Sequence, residues 1–309
     1  ESMFSFQRRN ILLGSATLLT SCGMDDGTPT VLGVAKKDAQ FSVLVEAIQA
    51  AGLESTLDGY GPFTVFAPTN NAFTALLSEL SLTKAQLLAD RALLTSVLTY
   101  HVLPSKVEKS GVPLGKAVTT VQGGFFKIES SAGGALTIQD GRNRNALITA
   151  ADVAASNGVV HVIDKVILPA NRNIVQTAQT LPDFSVLVEA VVAANLTSAL
   201  SASGPLTVFA PTNAAFTSLL ESLGQTKAQL LANTSLLTSV LRYHVVNARV
   251  LKADVPIGTA ISTLEPTKTF TVDSMLSITD TKGNKSKIVT TDVFTSNGVI
   301  HVIDKVILP

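Results

Sequence analysis

The sequence predicts an α+β fold written twice, as two consecutive modules over residues 31–169 and 172–309. Three observations carry this. First, the chain repeats itself: FSVLVEA occurs at 41–47 and 184–190, TVFAPTN at 64–70 and 207–213, and TKAQLLA at 83–89 and 226–232. A repeat this long is a whole domain rather than a solenoid unit, which is typically about 20–45 residues. Second, helical periodicity comes first in each copy and glycine-separated β-type runs follow, the order of an α+β module. Third, 46% of the 309 residues are hydrophobic and 15% charged, enough apolar material to fill two cores.

The elements of one copy follow in order. Phe41, Leu44, Val45, Ile48 and Ala51 recur at helical spacing, so 39–51 is an amphipathic helix. Asp38, or Asp183 in the second copy, caps its start. Gly61-Pro62 breaks the chain, and Phe63 to Ala67 is a short strand ended by Pro68. Thr69 or Asn70 caps a helix over 71–80, as Thr212 or Asn213 does in the second copy. Thr83 opens a further helix through Ala89, and 91–99 is helical. Tyr100 to Leu103 then runs extended up to Pro104. Several short strands are expected over 105–150. Ser156-Asn157-Gly158 signals a hairpin, and Val159 to Leu168 reads as a long central strand, apolar on both faces.

The first thirty residues read as an address. Arg8 and Arg9 form a basic region, Ile11 to Leu19 an apolar one, and Thr20-Ser21 precede Cys22. The ending Leu19-Thr20-Ser21-Cys22 resembles a bacterial lipobox. That resemblance implies cleavage before Cys22 and a lipid on its thiol, with 1–22 as signal peptide and 23–30 as a polar tether. Export by the general or the twin-arginine route stays open, because Arg8-Arg9 resembles both kinds of basic region. The expected location is the periplasm or cell surface, held to the membrane by the lipid.

Charge and composition exclude other classes. The chain has 23 basic and 23 acidic side chains, so it lacks the basic field that nucleic acid requires. One cysteine excludes an intramolecular disulfide framework and a multi-cysteine zinc site. No apolar run reaches the roughly 18–20 residues of a spanning helix. No Gly-x-Ser-x-Gly elbow and no phosphate-loop motif is present.

Three boxes in each copy carry a family resemblance. Phe63 to Phe73, Tyr100-His101 and Asn157 to Asp164 resemble the boxes of fasciclin-like (FAS1) domains. The second copy has them at 206–216, 243–244 and 297–304. The resemblance implies a wedge-shaped β-sandwich with helices packed alongside. It also implies a non-enzymatic adhesion, matrix or biofilm protein. The alternative it offers is a binder of an apolar small molecule such as a carotenoid or lipid. Tyr100, His101, Tyr243 and His244 are the interaction candidates it points to, with the surface or matrix partner unidentified. Thr69, Asn70, His161, Asp164, Thr212, Asn213, His301 and Asp304 read as framework. Asp164 and Asp304 are expected in a strand-end ion pair or a turn contact. No catalytic residue, metal or cofactor is called for. The copies diverge most over 103–156. There Gly123-Gly124-Phe125-Phe126 and Gly141-Arg142-Asn143-Arg144 lack clear counterparts, marking either a distinct binding surface or drift.

Overall fold

The structure is a computed structural model and describes residues 27–309. The leader, Cys22 and the first half of the tether, 23–26, lie outside the described residues. The first module opens with α1 (Val31–Lys37), α2 (Ser42–Ala51) and α3 (Glu54–Leu57), followed by β1 (Phe63–Pro68). Then come α4 (Asn70–Leu80), α5 (Lys84–Ala89), α6 (Arg91–Tyr100) and β2 (Val102–Leu103). The module closes with β3 (Ala117–Thr119), β4 (Phe125–Ser130), β5 (Leu136–Gln139), β6 (Asn145–Ala155) and β7 (Gly158–Ile163).

The second module repeats this list. It runs α7 (Ile174–Gln179), α8 (Ser185–Ala193), α9 (Thr197–Ser201), β8 (Leu206–Pro211), α10 (Asn213–Leu223), α11 (Lys227–Ala232) and α12 (Thr234–Tyr243). Strands β9 (Val245–Val246), β10 (Ile261–Ser262), β11 (Thr269–Val272), β12 (Ser277–Thr279), β13 (Lys285–Thr295) and β14 (Gly298–Ile303) complete it.

Each module holds a seven-stranded sheet, ordered β2-β1-β7-β6-β5-β4-β3 in the first. Strand β7 runs parallel to β1 and antiparallel to β6, so it is central. Strand β6 serves both halves of the sheet: residues 145–147 pair with β5 and residues 148–155 with β7. Two apolar layers result. Helices α1, α2, α4 and α6 bury Leu32, Leu44, Phe73 and Leu94 against one side of β1 and β7. Phe66, Tyr100, Phe126, Ile138 and Ile163 fill the wedge between the sheet halves. The second module has the same two layers. Gly158 is required where β7 meets β1: a Cβ there would lie 2.1 Å from the Phe63 carbonyl oxygen.

The structure departs from the sequence reading at several places. Helix α1 was not expected, yet Thr30 caps it through the Gly33 amide, and the Pro29 carbonyl accepts from Ser156 N–H. The end of the supposed tether therefore belongs to the fold. Asp38 caps a 3-10 turn ahead of α2, but Asp183 caps nothing because it lies inside the corresponding turn, Pro182–Phe184. Tyr100 is the last residue of α6 and His101 its C-cap, so the extended segment is only Val102–Leu103. Strand β7 stops at Ile163, and Val166 to Leu168 is buried irregular chain.

Candidate interaction surface at the domain junction

The residues singled out by sequence are framework in place and in bonding. Tyr100, His101, Tyr243 and His244 are all buried, at 2% exposure or less, so they are not the surface residues that an interaction role requires. His101 Nε2 accepts from Ile167 N–H at 3.1 Å, which leaves Nδ1 to donate to the Val97 carbonyl at 2.7 Å. His244 makes the same pair of bonds with Ile307 and Val240. Burial pushes both imidazoles down to about 4, so they are neutral at pH 7. His161 and His301 use the opposite tautomer. Nδ1 accepts from the amide of Asp152 or Asp292, and Nε2 donates to the carbonyl of Val107 or Val250. Burial lowers His301 as well. Every ring nitrogen is thus committed to backbone, and a metal would have to displace such a bond. Among the described residues no cluster of three metal-ligating side chains exists.

The phenols act in the same way. Tyr100 Oη donates to the Phe125 carbonyl at 2.6 Å and accepts from Gly141 N–H at 2.9 Å, which ties β4 to the 140–143 turn. Tyr243 does so with Thr269 and Thr281, and burial pushes it up to about 12. Thr69 and Thr212 cap α4 and α10. Asn70 and Asn213 instead bridge elements: each accepts from an amide in the first turn of α2 or α8 and donates to the preceding 3-10 turn. Asp164 and Asp304 accept from the amides of Leu147 and Lys287, a strand contact rather than an ion pair.

The polar groups that sequence reasoning missed lie where the modules meet. Strand β13 carries a bulge between Thr290 and Val293, and Asp292 sits in it at φ 59°. Its Oδ1 accepts from Lys252 N–H at 2.8 Å. Its Oδ2 lies 2.8 Å from Nζ of Lys127, which comes from β4 of the other module and also reaches Glu129 at 2.7 Å. Burial works against the charge on Lys127, but hydrogen bonds and charge from Asp292 and Glu129 outweigh it and hold its pKa above the ordinary lysine value.

Further contacts fix the register between modules. Gln139 donates to the Asp292 carbonyl at 2.7 Å, and Asn143 both accepts from Phe294 N–H and donates to its carbonyl. The rings of Phe125 and Phe294 lie 4.8 Å apart beside buried Leu251. The only sequence signal for this was the divergence of 123–126 and 141–144 between copies. The corresponding positions in the second module are Thr269 for Phe125 and Gly283 for Asn143.

Beside this contact is a cleft of about 390 Å3 between the modules, lined by Gln122 to Phe125, Gly141, Pro169-Ala170, Arg249 and Phe294 to Ser296. Arg249 lays its guanidinium over the Phe125 ring at 4.0 Å. Among the described residues, a pair of apolar cavities sits at matching places in the two modules. One of about 40 Å3 lies beneath α2, lined by Leu44, Ile48 and Leu57, and one of about 30 Å3 lies beneath α8, lined by Leu187, Val191 and Leu200.

Comparison with known proteins follows the same division into two. The profile of the Fasciclin domain family matches residues 39–169 and 182–309. Protein sll1483 of Synechocystis is 43% identical over 148 residues, covering 47% of this chain and 76% of its own. The transforming growth factor-beta-induced protein ig-h3 of Oryctolagus cuniculus is 32% identical over 262 residues, 83% of this chain and 36% of its own length. The chain thus spans about a third of that relative. A FAS1 domain pair from the insect cell adhesion molecule fasciclin I aligns over 90% of this chain and 96% of its own, with 19% identity and a TM-score of 0.45.

Proposed function

Because the chain belongs to the fasciclin domain family, we propose that it is a non-enzymatic adhesion or matrix-interaction protein, exported and held to a membrane by lipid on Cys22. The observation that carries the reading is the docked pair. Lys127, Gln139 and Asn143 lock onto Asp292 and Phe294, so two modules present one fixed surface rather than two independent ones. A surface fixed in advance loses less entropy on meeting a partner. The histidines and buried tyrosines serve the framework, and the reading assigns recognition to the fixed surface around the junction. Among the described residues no helix is long and apolar enough to cross a membrane. The anchor at Cys22 rests on the lipobox-like ending Leu19-Thr20-Ser21-Cys22.

The test is Cys22→Ser in the native host. The variant is expected in the soluble fraction, with loss of surface attachment by the cells. Unchanged membrane fractionation would defeat the anchor. The second reading, an apolar ligand, draws on the matching cavities beneath α2 and α8. At about 40 and 30 Å3 each has room for little more than a water-sized group, so a carotenoid or lipid would have to open the helix layer. A coloured or lipid-bearing native preparation is its expected signature.

A further inference from the structure

We propose that the cleft between the modules binds the carboxylate of an acidic saccharide, with Arg249 as the residue that receives it. This rests on the matrix-interaction reading and names its partner class. Three features point there. First, Arg249 has no carboxylate partner among the described residues, although its guanidinium carbon lies over the Phe125 ring, 4.0 Å from the centroid. Its N–H fork makes no hydrogen bond among the described residues, and such a fork matches a carboxylate with two parallel hydrogen bonds. Second, the cleft has the volume of a small-molecule site, about 390 Å3 within the usual ~300–1,000 Å3. It also lies between domains, where such sites concentrate. Third, two more cations lie close in sequence to its lining: Arg142 follows Gly141 and donates from Nε to the Pro169 carbonyl, and Arg172 is two residues beyond Ala170. Neither forms an ion pair with a carboxylate among the described residues, which adds positive charge near the cleft.

The remaining groups favour a sugar over a peptide. Backbone amides in the lining are already bonded: Gly123 to Thr120, Gly141 to the Tyr100 hydroxyl, and Ser296 to Arg172. An extended peptide would find no ladder to join. What remains is neutral and suited to ring hydroxyls, namely the Gln122 side-chain amide, whose oxygen alone is engaged, by Gly124 N–H, and the exposed Ser296 hydroxyl.

The experiment titrates the purified two-domain protein with trigalacturonate, neutral maltotriose and inorganic phosphate. Trigalacturonate is expected to bind and maltotriose is not, with affinity falling as salt rises. Arg249→Gln should weaken binding roughly ten- to hundredfold, the loss of one charge-assisted pair, with an unchanged far-ultraviolet spectrum. Gln122→Ala should weaken it less. No binding of trigalacturonate, equal binding of maltotriose, binding of phosphate alone, or full affinity in Arg249→Gln would each overturn the assignment. Attachment of the same proteins to matrix-coated surfaces is scored separately. It decides the adhesion reading, whereas the titration decides the cleft.

Discussion

Asp152 and Asp292 occupy the same place in the two repeats and share a backbone. Each sits in a bulge of a long strand at φ near 60°, gives its amide to the box histidine, and accepts from a lysine amide, Lys109 or Lys252. Beyond that they differ. The Asp152 side chain is 44% exposed and the Asp292 side chain 1%. The difference lies in the neighbours. Around Asp292 the surface offers Arg249, Leu251 and Phe294, all used at the junction. The matching positions around Asp152 are Lys106, Glu108 and Ala154, and Lys106 pairs with Glu108 in solvent. The lesson is that one internal device supports either a solvated face or a docking face. A few side chains decide which.

The strongest way to break the comparison is Lys127→Ala. It leaves the Asp292 carboxylate buried without its cation, a loss of about 3–5 kcal/mol for a broken buried pair. The modules can limit that loss by separating, which rehydrates Asp292. The expected outcome is therefore two resolved unfolding transitions in calorimetry and a larger radius in solution scattering. A cycle with Asp292→Ala should show coupling between the two positions. A single wild-type transition with unchanged radius would mean that the other junction contacts, Gln139 and Asn143 on β13, Phe125 with Phe294 and Lys116 with Asp254, hold the modules without this ion pair.

A second prediction sharpens what the copies share. His101 and His244 have folded values near 4 against 6.5 for a free imidazole. The unfolded chain therefore takes up protons below pH 6.5 that the folded chain refuses. Stability from these groups is complete above 6.5, falls as pH drops toward 4, and falls no further below that. At pH 5 the loss is about 2 kcal/mol per module. Unfolding at pH 5.5, followed by calorimetry in buffers of different ionisation enthalpy, should show about one proton taken up for each of these two histidines, in addition to the uptake by His301, which burial also lowers. His101→Gln and His244→Gln should each remove one. If only one of them does, the two cores are not equivalent.

The same division governs what the sequence made legible. The repeat, the central strand, the threonine caps and the framework histidines follow from local pattern, because each is specified by residues close in sequence or by the box itself. Helix α1 escaped because its seven residues follow a Thr-Pro-Thr stretch that reads as tether, and its fixing bond comes from Asn157, far along the chain. Asp183 misled because Pro182 moves the turn forward, so the carboxylate falls inside it. The junction was hidden for a different reason. On β4, Phe126 and Ile128 face the core while Phe125 and Lys127 face outward, which on its own reads as an ordinary exposed face carrying one stray aromatic. Only the position of β13 in the other module shows that this face is covered. Divergence between the copies marked the right segments without saying what they touch.

The smallest expected effect is the most discriminating one, Asp152→Asn against Asp292→Asn. Both substitutions keep the acceptor for the lysine amide and a residue type that tolerates positive φ. At 152 the change removes a charge already solvated, and urea denaturation should move by less than about 1 kcal/mol. At 292 the same change takes the counter-charge from Lys127, which is 5% exposed and keeps only the exposed Glu129 as an anionic partner. The cost there should exceed that at 152 by more than the error of the two measurements, and it should shrink when Lys127→Met removes the buried cation as well. Equal costs at the two sites would show that the bulge itself, rather than the docking of one module on the other, sets the energetic role of this aspartate.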